Sequence, residues 1–186
     1  MKILMQPPKP HSHRRILVID DNRSIHDDFR KILEPADATV NELQADEAAL
    51  FGEAKQPETF MIDTASQGEE GLEMVKRAMA EGQPYSMAFV DVRMPPGWDG
   101  IETTRQIWQV CPDMQIVICT AYADCSWSDV QQQIKPRDRM LILKKPFDII
   151  EVLQLAISLT EKSRMLLEPK SQQDDLERRV QQRTQE

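Results

Sequence analysis

The sequence predicts an α/β protein, a doubly wound five-stranded parallel sheet with helices on both faces. Two observations carry that prediction. Five short apolar runs lack the period-2 alternation of a strand with one wet face, so they read as strands buried on both sides. Stretches with apolar residues at helical spacing alternate with them, the pattern of right-handed parallel crossovers.

The elements follow in order. "RRILVID" gives the first strand, Ile16 to Ile19, ending on Asp20 and Asp21. Ile25, Phe29, Ile32 and Leu33 mark the first helix, with Ser24 as its predicted N-cap and Pro35 as its stop. Residues 35–58 are acidic and irregular, an insertion that reads either as surface decoration or as a docking segment. "TFMIDTA" is the second strand; Leu72, Val75 and Met79 mark the helix after it, closed by Gly82. "YSMAFVD" is the third strand, and Ile101, Ile107, Trp108 and Val110 line the third helix. "MQIVICTAY" is the fourth strand, with "SWSDVQQQIK" a short helix behind it. "RMLILKKPFD" is the fifth, and Ile149, Ile150, Leu153, Ala156, Ile157 and Thr160 line the last helix.

Residues 1–13 form a Pro-rich polar tail in which His11 and His13 read as solvated, and 14–160 form the domain. Segment 161–186 is a polar linker and helix, broken at Pro169, with Leu176 and Val180 at i,i+4 spacing. It cannot be stable alone and reads as a signalling helix or coiled coil that pairs with a second copy, giving a homodimer; the alternative is a frayed tail.

Composition narrows the function. A net charge of −8 and 5% aromatics argue against direct nucleic-acid binding. The N-terminal apolar run is too short for a signal peptide, and no stretch is long enough to span a membrane. Cys111, Cys119 and Cys125 form no CxxC pair; they read as small apolar fillers in a reducing, cytoplasmic setting.

An open parallel sheet presents its chemistry beyond the carboxyl ends of its strands. Those ends carry Asp20 and Asp21, then Asp91, Thr120 and Lys145. Any one of them alone reads as a loop cap. Together they make an inventory: clustered carboxylates call for a cation such as Mg²⁺, and a hydroxyl and an ammonium suit phosphoryl oxygens. A carboxylate can itself accept a phosphoryl group as an acyl phosphate.

"ILVIDDN" (16–22), "FVDVRMP" (89–95) with "DG" (99–100), "ICTAY" (118–122) and "KKPF" (144–147) together resemble the CheY-like receiver domain of two-component response regulators. The resemblance covers about residues 14–160 and implies a flavodoxin-like sheet of order 2-1-3-4-5. It implies that Asp91 is the phosphoacceptor and that Asp20, Asp21, Asp91 and the Arg93 main-chain carbonyl hold Mg²⁺. It implies that Thr120 and Lys145 take the phosphoryl oxygens, with the bond before Pro146 cis. The implied partner is a sensor histidine kinase or phosphotransfer protein. The implied role is a signalling phosphoacceptor that assists its own phosphorylation and dephosphorylation without being an enzyme. The signal would leave through the loop and helix after the fourth strand, as Thr120 moves toward the phosphate.

Departures from the family stand out. Ile142 occupies a position often aromatic, which excludes a Tyr- or Phe-based switch there. The "PPGWDG" loop is one residue longer than the family's common form, and Trp98 either covers the site or anchors the loop. Bulky Arg93 and Tyr122 would flank the path of a hydrolytic water and lengthen the life of the phosphoryl state. A haloacid-dehalogenase-type aspartyl-phosphate phosphatase needs an Asp two residues after its nucleophile; Arg93 and Asn22 stand there instead. A third reading is a phosphorylation-independent interaction or dimerisation module. GxGxxG and GxxxxGK[ST] are absent, which excludes dinucleotide-binding and P-loop chemistry.

Overall fold

A computed structural model describes residues 14–34, 60–121 and 137–183. The predicted tail 1–13, the insertion 35–58, the helix "SWSDVQQQIK", Tyr122 and Cys125 lie outside the described residues. Strand β1 (Arg15–Ile19) leads to helix α1 (Arg23–Leu33), then β2 (Met61–Ala65), α2 (Gly68–Ala80), β3 (Met87–Asp91) and α3 (Gly100–Val110). Strand β4 (Gln115–Thr120), a 3₁₀ turn (Arg137–Arg139), β5 (Met140–Lys144) and α4 (Ile149–Arg183) complete the described elements.

All strand pairs are parallel, and the sheet order is β2-β1-β3-β4-β5. The three inner strands are almost wholly buried, as their unbroken apolar runs require, while edge strands β2 and β5 expose Met61 and Leu141. Alternate side chains feed two separate cores. Leu17, Ile19, Ala88, Val90, Ile116 and Ile118 pack with α2 and α3 residues such as Val75 and Ile107 on one face. On the other, Ile16, Val18, Met87, Phe89 and Val117 meet Phe29 and Leu33 of α1 and Val152, Ala156 and Leu159 of α4. The Phe29 ring stands 4.6 Å from Phe89 and 5.1 Å from Phe147, tilted against both.

Three details correct the sequence reading. The α1 N-cap is Asn22, not Ser24: the Asn22 side chain accepts the Ser24 amide at 3.0 Å, which satisfies a first-turn donor. Ile149, Ile150 and Ile157 are exposed; the inward stripe of α4 runs instead through Val152, Ala156, Leu159, Thr160 and Ser163. Helix α4 also continues unbroken through Pro169 to Arg183. A proline inside a helix forfeits one N–H bond, and Glu, Lys, Arg, Leu and Gln on both sides are strong helix formers.

Candidate functional site

The chain passes from β1 out to β2 and returns across β1 to β3, so the winding reverses between β1 and β3. In a parallel sheet that switch point opens a crevice at the carboxyl ends of the strands. Asp20 follows β1, Asp91 closes β3, and Lys145 follows β5; all three meet there.

Lys145 Nζ donates to Asp20 Oδ2 at 2.7 Å and to Asp91 Oδ1 at 2.6 Å. Asp20, Asp21 and Asp91 each offer an oxygen within 4.8 Å of the others. Asp20 is buried and Asp21 exposed, so the group has an inner wall and an open side. Asp20 Oδ1 also accepts the Asn22 amide at 2.9 Å, and Asp91 Oδ2 accepts the Arg93 amide at 3.0 Å.

These contacts pull the ionisation equilibria in opposite senses. Burial raises the Asp91 pKa above the ordinary carboxylate value, against the pull of Lys145 and the Arg93 amide. For Lys145, burial works to lower the pKa, but the bonds to Asp20 and Asp91 outweigh it, and the ammonium is held above its ordinary value. When the acids are ionised, three carboxylates face one ammonium, an excess of two negative charges. That donor set, all oxygen and closely spaced, fits a hard divalent cation such as Mg²⁺.

Thr120 sits at the end of β4, where its carbonyl accepts the Lys145 amide at 2.8 Å. Its hydroxyl donates to the Ala121 carbonyl at 3.0 Å, so it does not bond to the carboxylates. The Lys145–Pro146 bond is cis, as the resemblance implied; Pro95–Pro96 is also cis, which was not anticipated. Trp98 is half-buried against the core on the α2–α3 face, in keeping with a loop anchor, and Ile142 is half-buried there too.

The loop after Asp91 is held closely. Asp99 caps α3 by accepting the Glu102 amide at 2.7 Å. Gly100 lies so near the end of β3 that a Cβ would come within 2.2 Å of the Asp91 carbonyl oxygen, so no larger residue fits. Gln67, missed in the sequence, fastens the loop from the side: its Oε1 accepts the Gly97 amide and its Nε2 donates to the Pro95 carbonyl. Also missed was His26, buried on α1 with Nε2 at 2.8 Å from the Asp20 carbonyl oxygen. Its place one helical turn before Phe29, on the same stripe as Leu33, was the available signal.

The response regulator receiver domain family matches residues 50–157, more than half of the chain. The chain belongs to that family. This receiver domain is 26% identical over 103 residues to Sporulation initiation phosphotransferase F of Bacillus subtilis (strain 168), covering 55% of this chain and 76% of that protein. Among solved structures, an adenylate cyclase from Rhodopirellula baltica superposes with a TM-score of 0.62 at 17% identity, over 87% of this chain and 97% of that one. A CheY-like receiver domain protein from Methanospirillum hungatei JF-1 gives 0.55 at 19%, over 81% and 96%. A chain of the CheX-CheY-BeF3-Mg²⁺ complex from Borrelia burgdorferi gives 0.53 at 19%, over 78% and 87%. The structural likenesses establish the fold: a five-stranded parallel sheet of order 2-1-3-4-5.

Proposed function

We propose that Asp91 is the phosphoacceptor of this receiver domain, taking a phosphoryl group from a phosphohistidine of a sensor histidine kinase or phosphotransfer protein. The observation that carries the reading is the lysine bridge: Lys145 reaches both Asp20 and Asp91 at the switch point. An Asp91 carboxylate oxygen attacks phosphorus, the P–N bond to the donor histidine breaks, and the imidazole leaves with the bonding pair. Asp20, Asp21, Asp91 and the Arg93 carbonyl would hold Mg²⁺, which when bound offsets charge on the phosphoryl oxygens. Lys145, already 2.6 Å from Asp91, exchanges that contact for a phosphoryl oxygen. The Thr120 hydroxyl, released from Ala121, takes another and carries the β4 end with it.

The chain assists its own phosphorylation and dephosphorylation and turns over no other substrate. Arg93, two residues past Asp91, would obstruct the hydrolytic water, so the phosphoryl state outlasts seconds. The domain divides as read from the sequence: a tail to 13, the receiver over 14–160 with its 35–58 insertion, and an output segment from 161. That segment pairs two copies as a coiled coil, in the cytoplasm and away from nucleic acid. Supporting this, α4 runs through the 160/161 boundary without a break and leaves Ile149, Ile150, Ile157 and Met165 exposed. Among the described residues no helix is long and apolar enough to cross a membrane.

The test is Mg²⁺-dependent labelling by acetyl phosphate, read by intact mass with site mapping. Wild type is expected to gain one phosphoryl group on Asp91 and Asp91→Asn none. Label retained by Asp91→Asn would overturn the assignment.

A further inference from the structure

We infer that His26 is a positioning residue for the acidic site, acting through the main chain of Asp20. The inference rests on the reading of Asp20, Asp21 and Asp91 as a cation and phosphoryl site. Asp20 is the first residue past β1, and every polar group it has is engaged. Its amide donates to the Ala65 carbonyl of β2 at 3.1 Å. Its side-chain oxygens accept from Asn22 and Lys145. Its carbonyl oxygen lies 2.8 Å from His26 Nε2, in a contact closed to solvent. A carbonyl only accepts, so Nε2 carries the hydrogen and donates.

That bond has a specific consequence. Asp20 and Asp21 are joined by the peptide whose carbonyl His26 holds, so the orientation of that one peptide sets both carboxylates against Asp91 and Lys145. Phe29 and Leu33 are fully buried on the same side of α1 and root the imidazole in the α1–α4 core. No other described residue bonds that carbonyl. Without the donor, the peptide is free to turn toward whatever donor it can find, and the spacing of the two acids loosens. A shift of well under an ångström matters to Mg²⁺, which demands near-octahedral geometry. His26 touches neither ion nor phosphoryl group and is not a catalytic residue.

The experiment titrates Mg²⁺ into the 186-residue chain by calorimetry at pH 8. Thermal stability in EDTA is measured alongside. Three variants separate the possibilities: His26→Leu removes the donor at similar volume, His26→Gln places an amide nitrogen near Nε2, and His26→Asn falls short. We expect Mg²⁺ affinity to drop about tenfold in the Leu and Asn variants and by less than about threefold in Gln. If His26→Leu fails to fold, the Gln and Asn pair decides. Equal affinity in Gln and Asn, or wild-type affinity in Leu with only a lowered melting temperature, would overturn the positioning role. Absence of Mg²⁺ binding by wild type would instead overturn the reading of the acidic site.

Discussion

The two ends of the sheet each carry a cluster of opposite charges, and they are built on opposite principles. At the amino ends, Arg15 NH2 donates to Asp63 Oδ2 at 2.6 Å and to the Tyr85 hydroxyl at 3.2 Å, while NH1 donates to the Gln83 carbonyl at 2.7 Å. The Tyr85 hydroxyl donates to the same Asp63 oxygen at 2.8 Å, and the guanidinium lies over the phenol ring. One acid meets one base, so the charges balance, although Arg15 Nε is buried without a hydrogen-bond partner. At the carboxyl ends, one lysine is shared between two of three acids. The first cluster is balanced in charge within the chain; the second is left short of positive charge. Similar residue types thus make a clamp at one end and a binding site at the other, and stoichiometry decides which.

Removing the cation from each end gives the largest contrast. Lys145→Met should slow phosphoryl acceptance from acetyl phosphate by about 10²-fold or more, the scale of losing one preorganised charge contact. Its melting temperature should fall in EDTA and recover more with Mg²⁺ than that of wild type, because the ion then takes over the lysine's part in offsetting the carboxylates. Arg15→Met should cost about 2 kcal/mol of stability by urea unfolding and leave the acetyl-phosphate rate unchanged. A slowed rate in Arg15→Met would mean that the two ends are coupled.

Acid titration sharpens the contrast. Burial raises Asp91 in the folded state, so between the ordinary carboxylate value and the raised one the folded chain binds more protons than the unfolded chain. In EDTA that makes stability fall as pH rises through this window, and Asp91→Asn should flatten the slope. An unchanged slope would show that another group titrates there. At alkaline pH, Tyr85 is raised by burial and by its bond to Asp63, so the unfolded phenol ionises first and stability falls as pH passes the ordinary tyrosine value. Lys145 acts in the same direction, since its raised pKa contributes stability that is lost as pH climbs through the folded value. Tyr85→Phe separates the two: it should remove the tyrosine part of the alkaline loss and cost only about 1 kcal/mol near neutrality.

Much of this was legible in the sequence because it is local. Unbroken apolar runs announce strands buried on both faces, and four of the five hand over to Asp20, Asp91, Thr120 or Lys145 at their carboxyl ends. What escaped depends on partners far apart in the chain. Arg15 and Tyr85 are 70 residues apart, so nothing near either one announces their contact. His26 sits on a core stripe, where a pattern of apolar spacing shows burial but not the carbonyl that a ring nitrogen meets. Pro169 misled for the converse reason: a local breaker was outvoted by strong helix formers on either side.

The claim that the two clusters differ in charge balance is tested most directly by calorimetric titration of Mg²⁺ into wild type, Asp91→Asn and Asp63→Asn side by side. One ion per chain should bind wild type and Asp63→Asn with equal affinity, and Asp91→Asn at least about tenfold more weakly. No binding by wild type, or undiminished binding by Asp91→Asn, would contradict the account.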